Sequence, residues 1–177
     1  RTRLVRDAYP ELALAVDANQ SYTYDQLEMV AAYNDLHLLC IEEPFSMTNL
    51  TTYKAWKESL PNWPITTSIC LDESILSYDD LSYAIEHRLI DVLNVKVGRL
   101  GGLIQTRAAI LRCREAGIPY WIGSMVESGI SKILHVQLAA LGDTYMAGDL
   151  SDSSRYFEHD LINPEILFTD GTMQVPN

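Results

Sequence analysis

Short apolar runs that each end in an ionisable residue recur along this chain at one spacing. "LALAVDA" (Leu12 to Ala18) ends on Asp17, "LLCIEEP" (Leu38 to Pro44) on Glu42 and Glu43, and "ITTSICLDES" (Ile65 to Ser74) on Asp72 and Glu73. "DVLNVKVG" (Asp91 to Gly98) carries Lys96 near its end. The steps Asp17 to Glu42, Glu42 to Asp72 and Asp72 to Lys96 are 25, 30 and 24 residues. That is the length of one strand-helix unit. Two further runs, Pro119 to Glu127 and Thr144 to Leu150, continue the series. Helical patterns lie between them at Tyr24 to Asp35, Leu50 to Leu60, Asp79 to His87, Leu103 to Ala116 and Ile130 to Leu141. Thr48 and Ser77 stand where helix N-caps belong, and Gly117 where a C-terminal glycine belongs. Six strands with five intervening helices imply a parallel sheet with right-handed crossovers. An open doubly wound sheet and a (β/α) barrel both satisfy that pattern. The turn after the first strand, "DANQSYT", lacks the glycines of a dinucleotide fingerprint.

The polar residues favour the barrel. A lone acid at a strand end is ordinarily a helix N-cap. Three in succession, followed by a lysine on a fourth strand, point instead to one site at the C-terminal strand edges, which converge on one mouth in a barrel. Three carboxylates on neighbouring strand ends would form an oxygen cage suited to Mg²⁺ or another hard divalent ion such as Mn²⁺. No histidine occupies these positions, which disfavours zinc. Such a metal stabilises the enolate formed when a base removes a proton α to a carboxylate. Strand alternation puts Asn94 and Lys96 on one face and Val95 and Val97 on the other. With the valines packed against helices, Lys96 points into the barrel.

Composition removes other classes. The 177 residues suffice for one domain with a sizeable core, and 47% are apolar. A formal net charge of -11 argues against nucleic acid and anionic membranes as partners. The three cysteines, Cys40, Cys70 and Cys113, form no CxxC pair and read as reduced thiols of a cytoplasmic protein. No apolar stretch approaches the ~18 residues of a membrane span. The charged start "RTRLVRDAYPEL" shows no signal peptide, and the missing initiator Met fits a chain that begins inside a longer protein.

The ordered set "VDAN", "IEEP", "LDES", "NVKVGRLGG", "SMVESGIS" and "GDLSDSSRYFEHD" resembles the barrel motifs of the enolase superfamily, over essentially the whole chain. Within it the set resembles the muconate lactonizing enzyme branch, and most narrowly the o-succinylbenzoate synthases and N-acylamino acid racemases. The resemblance implies an α/β fold: the C-terminal portion of an enolase-type (β/α)7β barrel, third to eighth strands, over residues 1–177. It implies Asp17, Glu42 and Asp72 as Mg²⁺ ligands and Lys96 as the sixth-strand catalytic lysine. Glu43 would then be a supporting or surface residue. Asn19, Ser124, Met125, Glu127 and Ser128 would contact a small carboxylate substrate. Plain alternatives are core packing for Met125 and helix capping for Glu127.

The resemblance also implies what this chain lacks. The family has an N-terminal capping domain and two further strands, the second of which carries a K-x-K pair whose last lysine is the opposing acid/base. Arg1 and Arg3 are too basic to replace it and lie on a helix-like segment. The expected activity is Mg²⁺-dependent dehydration to o-succinylbenzoate in menaquinone synthesis, or racemisation of N-acylamino acids by the same proton abstraction. The expectation of another class is a non-catalytic part-barrel that needs its missing portion. Homo-oligomerisation is compatible with either. A dipeptide epimerase is disfavoured, because Asp149 and Asp152 are three apart where that activity has D-x-D.

Overall fold

The computed structural model describes residues 1–176 and contains two compact units, residues 1–74 with 82–92 and residues 75–81 with 93 onward. In the first unit, α1 (Thr2–Ala8) leads to three parallel strands, β1 (Val16–Asp17), β2 (Ile41–Glu42) and β3 (Ile69–Leu71). Arg3 lies on α1, as its pattern predicted. The β1–β2 ladder is longer than these bounds. Leu39 N donates to Leu14 O, Val16 N to Cys40 O, Ala18 N to Glu42 O, Gln20 N to Glu43 O and Tyr22 N to Pro44 O. The bonds at Val16 and Ala18 step by two residues on both strands, as parallel pairing does, whereas those from Gln20 and Tyr22 step by one residue on the second strand. Arg6 tightens the lead-in, its guanidinium donating to the carbonyls of Leu36, Pro10 and Leu12.

Helices α2 (Leu27–Ala31) and α3 (Leu50–Ser59) connect these strands. The periodicity predicts one helix from Tyr24 to Asp35, but the structure breaks it into a 3-10 turn, the short α2 and a second 3-10 turn. Asn34 is the reason. Its side chain leaves the helix face, donates to Pro64 O at 2.8 Å and accepts from Thr66 N at 2.9 Å. A short polar side chain that bonds distant backbone outcompetes the helix. The N-cap of α3 is Asn49, whose Oδ1 accepts from Thr52 N at 2.8 Å, rather than Thr48. The register differs by one because the cap must reach the third helical N–H.

The second unit takes up β4 (Val92–Val95) from Leu93 and pairs it in parallel with β5 (Tyr120–Ile122), with α5 (Leu103–Ala116) between them. The helix α4 (Tyr78–Glu86) precedes β4 and is capped as predicted, Ser77 Oγ accepting from Asp80 N. Thr106, Ala109, Ile110 and Cys113 are the buried stripe of α5. Gly117 ends that helix at φ 69°, a left-handed turn that glycine adopts without strain. Strands β3, β4 and β5 are buried at every residue, as parallel strands covered on both faces require.

After β5 comes α6 (Gly129–Ala139) and then, near the end of the chain, an antiparallel hairpin of β6 (Phe168–Thr169) and β7 (Thr172–Met173). The predicted sixth strand at Thr144 to Leu150 is not a regular strand. Tyr145 N bonds Tyr120 O and Asp149 N bonds Ile122 O, so the segment follows β5 without keeping its register. Four residues on one side span two on the other, and the chain bends. Gly148 permits the bend, because a Cβ there would stand 2.8 Å from Ile122 O. Among the described residues, no helix is long and apolar enough to cross a membrane.

Candidate active site

In the first unit the backbone register collects the acids. Asp17 on β1 pairs with Glu42 on β2, and Glu42 pairs with Cys70 on β3. Residues in register on neighbouring strands share a face, and so do residues two apart on one strand. Asp17, Glu42 and Asp72 therefore lie on one face at the C-terminal strand ends. Glu42 and Asp72 are buried, at 7% and 2% exposure. Burying carboxylates is costly unless they are paired or coordinate a cation. Asp17 is exposed, and Asn19 holds both of its oxygens: Asn19 N donates to Oδ1 at 2.8 Å and Asn19 Nδ2 to Oδ2 at 2.7 Å. The donors are all carboxylate oxygens, the kind a hard dication takes. Among the described residues, no three His, Cys, Asp or Glu side chains converge closely enough to form a metal cage.

Glu43 is fully buried, which corrects its reading as a surface residue. Its φ is +38°, an unusual value for a non-glycine residue, and this turns the side chain back into the unit. Oε1 accepts from Asp72 N at 2.8 Å and from Ser74 N at 2.7 Å, while Oε2 accepts from Ser74 Oγ at 2.9 Å. Burial pushes its carboxyl up to about 6, although the bonds from Ser74 and Asp72 pull the other way.

In the second unit Lys96 is the first residue after β4 and is half-buried. Val95 pairs with Ile122, and Gly123 N bonds Val95 O, so Lys96 and Gly123 are the next positions along the two strand ends. Asn94 and Lys96 share a face by parity. Gly123 leaves the space that Asn94 fills: a Cβ at Gly123 would lie 2.1 Å from Asn94 Oδ1.

The segment from Ser124 to Ser128 joins β5 to α6. Ser124 Oγ donates to Asp149 O at 2.6 Å. Met125 is 45% exposed, which excludes a core role, and its sulfur accepts from Arg99 at 3.7 Å. Ser128 is the N-cap residue of α6 but makes no side-chain cap bond. Glu127 is not a cap either. Its Oε2 lies 3.0 Å from Nδ1 of the fully buried His135, a close contact rather than an aligned hydrogen bond. Burial pushes the Glu127 carboxyl up, but His135, the Met125 N–H and the Lys132 charge outweigh it and hold it below the usual Glu range.

Pattern reading misses Lys132, His135 and Asp160. Lys132 is 2% exposed, donates its ammonium to Ser151 O and stands over the Tyr156 ring at 5.6 Å. Asp160 performs the capping that Ser128 does not. It accepts from Gly129 N at 2.7 Å, from Ser153 Oγ and from Leu161 N. Lys132 and His135 occupy ordinary helix positions in "ISKILHVQ", so only the burial of a lysine distinguishes them. Asp160 ends the "GDLSDSSRYFEHD" motif, and that motif is the signal that could have found it.

The whole chain, residues 1–177, matches the family described as enolase C-terminal domain-like. It is 35% identical over 175 residues to an o-succinylbenzoate synthase of Geobacillus kaustophilus, which covers 99% of this chain and 45% of that protein. It is equally 35% identical over 174 residues to an N-succinylamino acid racemase of Thermus thermophilus, covering 98% and 46%. The solved structure of a probable mandelate racemase from Alicyclobacillus acidocaldarius superposes with a TM-score of 0.85 at 35% identity, over 99% of this chain and 46% of that one. The chain thus spans about half the length of these relatives. With acids on neighbouring parallel strand ends and a lysine closing a later strand, this chain belongs to the enolase superfamily, as its C-terminal barrel portion.

Proposed function

We propose that the whole protein dehydrates a cyclohexadiene carboxylate to o-succinylbenzoate, a step of menaquinone synthesis, through removal of the proton α to the carboxylate. The observation that carries this is the register of Asp17 and Glu42, with Asp72 on the same face and two of the three acids buried. In this reading the three carboxylates would hold Mg²⁺ or Mn²⁺, which would supply charge stabilisation to the substrate carboxylate. Asn19 keeps the Asp17 carboxylate oriented through both of its oxygens. The α C–H bond breaks to a base contributed from outside this chain. Lys96 supports the resulting anion with its positive charge, and the β C–O bond then breaks. The departing hydroxyl takes up a proton and leaves as water, so atoms and charge balance.

The 35% identity to the Thermus racemase favours a second reading, in which the same proton is removed from an N-acylamino acid and returned on the other face. Lys96 is then one of two bases. Ser124, Met125, Glu127 and Ser128 take part in substrate recognition in both readings. The isolated chain, at under half the length of its relatives, is proposed to be inactive without the remainder of the barrel. The free, buried cysteines suit the proposed cytoplasmic setting.

The test uses the full-length protein with both substrates. Asp72→Asn is expected to abolish metal-dependent turnover of whichever substrate is accepted. Unchanged turnover by that variant would remove the metal assignment, and turnover of neither substrate by the wild type would remove both readings.

A further inference from the structure

Glu43 is a carboxylate without an evident reason to be one. It is fully buried, and its three hydrogen bonds come from neutral donors on Asp72 and Ser74, just after β3. Its φ of +38° is a conformation that Asn, Asp and Gly tolerate far better than Glu. Observed strain of this kind persists only where the surroundings enforce it, and it clusters at functional sites. The position gives the strain a use. Glu43 follows Glu42 directly, and it bonds the backbone N–H of Asp72 itself. One side chain thus fastens the end of β2 to the end of β3 at the two residues that carry buried acids.

We propose that Glu43 is a positioning residue: it holds the Asp72 backbone against Glu42, so that the two carboxylates reach a divalent cation together. The inference rests on the metal reading above. An amide of the same length satisfies the same donors. Its carbonyl oxygen accepts from Asp72 N and Ser74 N, and its NH₂ donates to Ser74 Oγ. A shorter carboxylate keeps the charge and suits the φ better, but falls one methylene short of β3.

The experiment measures Mn²⁺ affinity of the full-length protein, by electron paramagnetic resonance of the free ion, without substrate. Glu43→Asp is expected to weaken Mn²⁺ binding by roughly 10–100-fold, the loss typical when a group that orients a metal ligand is removed. Glu43→Gln is expected to bind within a few-fold of wild type. Thermal midpoints confirm that each variant is folded at the titration temperature. A Glu43→Asp affinity equal to wild type would overturn the proposal, as would equal losses in the Asp and Gln variants, which would assign the effect to charge. Asp72→Asn separates the two levels. If it leaves Mn²⁺ binding intact, the metal reading fails; if it abolishes binding while Glu43→Asp does not weaken it, only the role of Glu43 fails.

Discussion

The two units hold their charged residues in different ways. In the first, the backbone ladder does the placing. Asp17 and Glu42 are partners in register, and Glu43 reaches across to the backbone of Asp72 and Ser74. The acids are presented at strand ends; Asp17 accepts from Asn19, and Glu43 from the backbone of Asp72 and Ser74 and the Ser74 hydroxyl. In the second unit several charged groups serve one another and the packing of α6. Lys132 bonds a carbonyl in the loop that follows, Asp160 caps the helix, and Glu127 meets His135. A buried charge is therefore not in itself a mark of chemistry. Asp17, Glu42 and Asp72 stand at strand ends within the first unit and Lys96 follows a strand in the second, whereas Lys132 lies within a helix.

The sharpest way to break this contrast is to remove each lysine in turn from the full-length protein. Lys96→Ala should lower kcat on the order of 10²–10⁴-fold, the range for a group acting on a transferred proton, and leave the unfolding midpoint nearly unchanged. Wild-type kcat would make Lys96 structural. Lys132→Ala should do the reverse, costing ~2–3 kcal/mol in urea unfolding for a lost charge-assisted bond while the folded protein keeps its turnover. A large kcat loss with full stability would place Lys132 in the chemistry instead.

Smaller effects separate the caps. Asp160→Ala and Asn49→Ala should each cost about 1 kcal/mol, the usual value of an N-cap. If Asp160→Ala costs no more than a surface change, the "GDLSDSSRYFEHD" motif does not anchor α6. The smallest effect is in the pH dependence. The Glu127 carboxyl lies below the ordinary Glu value of 4.5 in the folded protein. Its contribution to stability is thus present above that value and is lost as pH falls through the depressed one. Thermal midpoints measured through that acid range should fall less steeply for Glu127→Gln than for wild type. Parallel curves would show that Glu127 is not held by His135 and Lys132.

Much of this was legible in the chain. The acid-terminated runs at βα spacing predicted parallel strands and put Asp17, Glu42 and Asp72 at their ends. The 3.6-residue stripe of α5 and the stop at Gly117 were equally plain, because local periodicity and one left-handed glycine decide both. Legibility failed where distant atoms compete with local preference. Asn34 leaves its helix for backbone some 30 residues away, and the segment after Gly142 loses strand register against β5. Met125 and Glu127 followed the same rule, since exposure and partner choice depend on what the fold brings alongside.

The sequence by itself determined the alternation, the family and the strand-end acids, because side-chain parity and turn chemistry act over a few residues. Only the tertiary structure decided that Glu43 turns inward onto β3, that Asp160 caps α6 from 31 residues away, and that Lys132 is buried. Each of these depends on a bond between positions far apart in the chain, and no local preference encodes such a bond.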